Sequence, residues 1–264
     1  HRIGQQRPVG QPNAFDDASE RVASERAARG GLRGRGTQQH GTQQHDAHDH
    51  LTPLSETASK RRLGAAARLP RELTSDDPQA IAEFVAVDPA GRYVAKASGV
   101  AHKTEGNLVR LGLSGTDVLA SFDELAAAGD GSVVVAEYID ADIELLVGGV
   151  RDASFGPVIT IGAGGIAAEA APDVAAVLAP AAPGEIAAAI ERLRIAPVLA
   201  GWRGGAALDV DALGVLVDAV AAQFDDPSVV EVDVNPVAVV DGRPIVLDAL
   251  VVVDDRHEHD GIIR

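Results

Sequence analysis

The sequence predicts a mixed α/β (α+β) chain built on antiparallel hairpins, and three stretches carry that expectation. Residues 144–169, ELLVGGVRDASFGPVITIGAGGIAAE, read as a strand from Leu145 to Val150, a turn, and a second strand from Val158 to Ile161. Arg151, Asp152, Ser154, Gly156 and Pro157 form the turn, with Gly and Pro as punctuation. Residues 229–253, VVEVDVNPVAVVDGRPIVLDALVVV, alternate valine with acidic residues around Asp241-Gly242, a strong two-residue hairpin signal. Between Asp77 and Tyr138 the hydrophobic period switches repeatedly between that of a helix and that of a strand.

Composition sets the bounds. A chain of 264 residues suits one or two domains with a substantial core. It has no cysteine, so disulfides and thiolate metal sites are excluded. No run of 18 apolar residues and no signal peptide is present, which predicts a cytoplasmic protein with no membrane partner. With 23 basic and 39 acidic residues the formal charge is −16, and no basic patch points to nucleic acid. Lys60, Lys96 and Lys103 are the only lysines. Two origins fit this balance: an acidic surface suited to a salt-rich cytoplasm, or a codon bias toward Arg, Ala, Gly and Asp. No methionine occurs even at position 1, so the chain is expected to begin inside a reading frame or after processing.

Residues 1–50 differ from the rest: seven Arg stand against six acidic residues, and five of the eight histidines lie here. Few apolar residues and no period predict a disordered N-terminal extension. Its GTQQHGTQQHDAHDH tract fits weak metal binding, a solvated tail or a mis-assigned start.

The folded part is expected from residue 51 to 254, with 255–264 as a tail. Ser55 is an N-cap with Glu56 in the first turn of a helix running to about Ala67. A second helix starts at Asp77-Pro78, with Ile81, Phe84 and Val85 on one face. A strand from Arg92 to Ala97 carries Lys96, and a loop leads to a strand from Leu108 to Leu113. A helix from Thr116 to about Ala128 buries Val118, Phe122 and Leu125 before a strand from Val133 to Tyr138. Beyond the first hairpin, Pro183 and Glu185 open a helix with Ile186, Ile190 and Leu193 in register. Asp209 caps another, whose Val210, Leu213, Val217, Val220 and Phe224 face inward.

Several residues have the chemistry of a site. An ammonium on a strand end, as at Lys96, can meet phosphate as a point charge. Gly162, Gly164 and Gly165 let a backbone approach a ligand and line an anion pocket with N–H groups, and they equally fit a flexible hairpin end. Arg203, between Gly201-Trp202 and Gly204, offers a planar fork for phosphate or carboxylate, or is a plain loop residue. Glu231, Asp233 and Asn235 share one face of a strand. With Asp241-Gly242 as the loop, Val240 faces Arg243 and Asn235 falls opposite Asp248, at a Cβ separation of about 4.5–5.5 Å. Oxygen ligands so placed suit Mg²⁺, the alternative being a solvated acidic face.

The unbroken order E-L-L-V-G-G-V-R-D, F-G-P-V-I-T-I-G-A-G-G and then Glu resembles the ATP-grasp domain of the NDP-forming acyl-CoA synthetases, the acetate–CoA ligase (ADP-forming) family. The likeness extends over roughly residues 54–254: L-S-E-T-A-S-K resembles the family's opening helix, and Gly-Trp-Arg-Gly its Gly-Tyr-Arg-Gly. E-x-D-x-N-P followed by L-D-A resembles its metal-binding hairpin. The resemblance implies an ATP-grasp fold with a small α/β lid at about 76–137 and a body made of 51–75 and 138–254. It implies ATP or ADP as the nucleotide, held by Lys96, Glu144, Gly164, Gly165 and a hinge of Glu137, Tyr138 and Ile139. It also implies Mg²⁺ on Asp233, Asn235 and Asp248.

His102, Lys103 and Thr104 resemble the family's His-Lys-Ser/Thr loop, which implies a phosphohistidine at His102 with Lys103 and Arg203 in the reaction. Gly106-Asn107 departs from the two glycines usual before the second lid strand. The implied reaction is acyl-CoA + ADP + phosphate = carboxylate + CoA + ATP, with a separate CoA-binding alpha-type chain carrying a phosphohistidine as partner. Without a Rossmann-type half, this chain is expected not to complete that reaction alone. Two competing expectations are an ATP-grasp ligase with another acceptor and a non-catalytic ATP/ADP-sensing module that tunes a partner.

Overall fold

A computed structural model describes residues 50–100, 108–165 and 171–258. Of the expected extension at 1–50 they include only His50, and of the expected tail at 255–264 only 255–258. Among the described residues seventeen strands and α-helices follow in chain order. They begin with β1 (Leu51–Pro53), α1 (Glu56–Leu63), β2 (Glu72–Ser75), α2 (Pro78–Ala86), β3 (Tyr93–Ala97), β4 (Val109–Leu113), α3 (Gly115–Ala128) and β5 (Val133–Glu137). They continue with β6 (Ile143–Asp152), β7 (Gly156–Ala163), β8 (Val174–Leu178), α4 (Glu185–Glu191), α5 (Ala196–Leu199), α6 (Val210–Ala222), β9 (Val229–Val240), β10 (Arg243–Val246) and β11 (Leu250–Asp254).

The strands form two antiparallel sheets. The larger runs β1-β11-β9-β6-β7-β8 with β10 beside β9, and the smaller runs β2-β5-β3-β4. The first hairpin is longer than its apolar run: β6 and β7 pair from Leu145–Ala163 out to Asp152–Gly156. Its turn is set by the Asp152 carboxylate, which accepts from the N–H groups of Ser154 (2.7 Å) and Phe155 (2.9 Å), an Asx arrangement. Gly149 sits inside β6 because a Cβ there would lie 2.7 Å from the Phe224 ring and 2.8 Å from Ile159.

Local signals start the helices where expected, although α1 stops at Leu63, short of Ala67, and passes into a tighter turn over Gly64–Ala66. Ser55 caps α1, Asp77 caps α2 with Pro78 at its first turn, and Asp209 caps α6. Ser114 and Asp117 add a capping box on α3. Leu213, Val217 and Val220 of α6 pack with Leu145, Val147, Ile159, Ile161, Val232 and Val234 in the larger core. Ile81, Val85, Val118, Phe122 and Leu125 cover Tyr93, Ala95, Val133 and Val135 in the smaller. Each such side chain contributes about 1.5–3 kcal/mol on burial.

The strands β1, β2, β8 and β11 extend the sequence expectation. β2 joins the smaller sheet, so that layer starts at Glu72. β11 pairs with both β9 and β1. The end beyond Asp254 starts as a short helical turn, Asp255–Glu258, and the Asp255 N–H donates to the His50 carbonyl.

Candidate functional site

Alternation along β3 sends Tyr93, Ala95 and Ala97 into the smaller core and Lys96 to the opposite face. The Lys96 side chain is only 9% exposed, and its Nζ spans the two sheets. It donates to Glu56 Oε1 at the start of α1 (2.9 Å), to the Leu247 carbonyl (3.0 Å) and to Asp248 Oδ2 (3.3 Å) between β10 and β11. Burial works to lower its pKa, but the charges of Asp248 and Glu56 outweigh it and hold the value above 10.5. The same Glu56 oxygen accepts from Lys60 Nζ (2.8 Å), which also reaches Glu72 Oε2 (2.7 Å). Two of the three lysines thus meet on one buried carboxylate.

Asp248 lies where the hairpin register puts it. β9 pairs with β10 from Val240–Arg243 to Val237–Val246 and with β11 from Asp233–Leu250 onward. The register is unchanged across the interruption, so Asp248 stands across from Asn235. The Leu247 N–H still donates to the Pro236 carbonyl (3.1 Å). Asn235 is exposed, and Asp248 and Asp233 are half-buried. Val232 and Val234 face the core, so Asp233 and Asn235 project from the other side. Among the described residues no three His, Cys, Asp or Glu side chains form a ready-made metal cluster.

Glu144 precedes the core residue Leu145 on β6, and its carbonyl accepts the Gly164 N–H (2.8 Å). A Cβ at Gly165 (φ +73°) would lie 2.5 Å from Glu144 Oε2, and one at Gly164 would lie 2.7 Å from the Leu145 carbonyl. At Gly162 it would meet Asp173 and Val174 at 2.6 Å. Gly162 and Gly164 are therefore required by the chain's own backbone at β6 and just before β8, Gly165 by its left-handed φ, and Glu144 lies against the end of β7.

Glu137, Tyr138 and Ile139 line a cavity of about 300 Å³ with Arg68, Arg71 and Ile245. The N–H groups of Glu137 and Tyr138 donate to the carbonyls of Arg71 (2.9 Å) and Arg92 (2.8 Å), so neither is left for a ligand. The Arg92 guanidinium lies 4.2 Å above the Tyr138 ring. Arg203 is exposed, with φ 54°, in a turn beside a second cavity of about 390 Å³ lined by Trp202, Leu208 and Asp241. It makes no contact with Lys96 or Asp248. His102 and Lys103 lie outside the described residues.

The structure thus brings Lys96 to Asp248 and Glu144 to Gly164 and Gly165, and the flanking register sets Asp248 at the position opposite Asn235. It adds Glu56 and Lys60. Their only sequence signal is the i, i+4 spacing of Glu56 and Lys60 within L-S-E-T-A-S-K.

The family model described as an ATP-grasp domain matches residues 65–253. The chain belongs to the ATP-grasp domain family. Among curated relatives of this ATP-grasp chain, an acetate–CoA ligase [ADP-forming] I from Archaeoglobus fulgidus is 30% identical over 68% of the chain and 27% of its own length. The beta subunit of an acetate–CoA ligase [ADP-forming] I from Pyrococcus furiosus is 30% identical over 46% of the chain and 53% of its own length. The chain therefore spans about a quarter to a half of these relatives. A dinucleotide-forming acetyl-coenzyme A synthetase 1 from Ca. Korarchaeum cryptofilum superposes with a TM-score of 0.63 at 23% identity, covering 75% of this chain and 91% of that one. That structure holds coenzyme A and Mg-AMPPCP, with a phosphohistidine segment pointing towards its nucleotide-binding site. The family and mixed α/β fold expected from sequence are the ones found. No helix among the described residues is long and apolar enough to cross a membrane.

Proposed function

We propose that this chain is the nucleotide-binding part of an ADP-forming acyl-CoA synthetase, which binds ADP or ATP between its two sheets and exchanges a phosphoryl group with a histidine. With a CoA-binding chain it would run acyl-CoA + ADP + phosphate to carboxylate + CoA + ATP. The observation that carries the reading is the meeting of Lys96, from the smaller sheet, with Asp248, across from Asn235 on the larger.

In this reading the cavity at Glu137, Tyr138 and Ile139 takes the base, with the Ile139 backbone at its edge. Lys96, with its pKa raised, stays an ammonium and neutralises phosphate oxygens. Glu144, held at Gly164 and Gly165, orients the ribose and phosphate end of the nucleotide. Asn235 and Asp248, with Asp233 next along the strand, form an all-oxygen set that fits Mg²⁺. That ion is commonly held by one or two carboxylates, with phosphate and water completing the shell. Mg²⁺ would spread the charge of the phosphates. In the ATP-forming direction an ADP β-phosphate oxygen forms the new P–O bond as the histidine P–N bond breaks. The imidazole nitrogen leaves with the bonding pair and takes up a proton. His102, flanked by Lys103, is the carrier in this chain, Arg203 steadies the incoming group, and the CoA-binding partner supplies the acyl phosphate from which a histidine is loaded. Such transfer is largely positioning and charge neutralisation.

The test is to incubate the full chain with Mg²⁺ and γ-labelled ATP, alone and with a CoA-binding chain. Acid-labile label, lost in His102→Ala, is the expected result, with ADP affinity at least tenfold weaker in Lys96→Met. Absence of any adenine-nucleotide binding would overturn the proposal. Binding without label in either mixture would replace it by a sensing role.

A further inference from the structure

We infer that Glu56, braced by Lys60, is the positioning residue that aims the Lys96 ammonium, and that Asp248 is the exchangeable partner which phosphate displaces from it. The inference rests on the nucleotide-binding reading and adds to it Glu56 and Lys60, which that reading does not use.

The ladder Asp248, Lys96, Glu56, Lys60, Glu72 runs through contacts of 3.3, 2.9, 2.8 and 2.7 Å. It joins α1 and the β10–β11 link to β3 and β2, so it crosses from one sheet to the other. Exposure is lowest in its middle and rises toward both ends, to 17% at Glu72 and further at Asp248. The side chains of Glu56 and Lys60 are 3% and 2% exposed, Lys96 is 9% exposed, and Asp248 is 32% exposed. Among the described contacts the ladder holds two cations, Lys96 and Lys60, and three anions, Glu56, Glu72 and Asp248, of which Asp248 is the most exposed.

Removing one partner from a buried ion pair is costly, because it strands a charge away from water. That cost falls on Glu56, which is fully enclosed between two ammonium groups. It does not fall on Asp248, whose carboxylate is already near solvent and whose departure leaves Lys96 paired with Glu56. An anion that approaches Lys96 can therefore take the place of Asp248 while Glu56 keeps the ammonium in line. Because Asp248 stands across from Asn235, the carboxylate given up by Lys96 is released beside that amide. Lys60 and Glu72 fix the far side of Glu56, so the carboxylate cannot turn to follow Lys96. In this arrangement Glu56 touches no substrate and acts only through Lys96.

The experiment compares the affinities of the full chain for MgADP and for adenosine by calorimetry. Glu56→Gln keeps an acceptor oxygen but removes the charge. It should weaken ADP about tenfold, the scale of one hydrogen bond to a charged group, and leave adenosine unchanged. Glu56→Gln combined with Lys60→Met removes an anion and a cation together, which leaves the net charge of the ladder unchanged with Glu72 partly open to solvent, and should give the same loss. In a Lys96→Met background Glu56→Gln should cause no further loss of ADP affinity. Equal weakening of ADP and adenosine, or an additive loss on Lys96→Met, would overturn the inference and leave Glu56 a purely structural residue. Wild-type protein that bound neither ligand would overturn the nucleotide-binding reading itself.

Discussion

At the scale of single residues, Asp226 shows how a local contact sets acid stability. Its carboxylate accepts from the Ser228 hydroxyl (2.6 Å) and from the Arg62 guanidinium (2.7 Å), and its pKa falls from 3.8 to about 2. The folded value lies below the unfolded one, so this stabilisation is complete above about pH 4 and fades as the pH falls through about 2. Asp226→Asn should lower the urea midpoint at pH 7, with the two midpoints converging by about pH 2; a constant gap would contradict it. Lys96 has the opposite sign. Its raised pKa keeps the ammonium's contribution intact below about 10.5 and removes it only as the pH rises beyond that. Lys96 was legible in the sequence because lysine is so scarce here. Glu56 was not, because a glutamate in a first helical turn already has a sufficient local reason in the helix dipole.

At the scale of elements, the β9–β10 hairpin was legible down to its register, since Asp241-Gly242 permits one tight turn and every later pair follows from it. β8 was not, because its Val-Ala-Ala-Val-Leu core has neither alternation nor β-branched density, and pairing with β7 supplies what the residues lack. β2 is four half-buried residues and its place depends on β5. Gly162, Gly164 and Gly165 were legible as a close approach of backbone to a ligand, and the fold adds near atoms of the chain itself; Gly149 carried no such signal. Gly149 meets Phe224 and Ile159, so Gly149→Ala should overpack that contact and cost about 1–3 kcal/mol. A urea midpoint unchanged from wild type would refute that placement of Phe224. The variant should retain the wild-type ratio of ADP to adenosine affinity, because its damage lies on the core side of the sheet.

At the scale of the whole molecule, the Lys96 ladder and its neighbours are where the two sheets share charge, so a ligand held there should stabilise both together. In the proposed function, MgADP at a hundred times its Kd adds about 2.7 kcal/mol to stability. That corresponds to a rise of about 5–10 °C in Tm for a domain of this size. Scanning fluorimetry with MgADP, and again with chelator, checks it; the rise should shrink without the metal and fall to about half or less in Lys96→Met. A larger consequence follows from the pairing of β1 with β11, which sets Leu51 beside Asp254. The domain's first and last strands leave from one edge, a single inter-strand spacing apart. A unit with adjoining entry and exit can be spliced into a longer polypeptide, or made as a separate subunit, without disturbing its interior. The matched region makes up 27% of one relative and 53% of another, so regions like it occur in chains of different length.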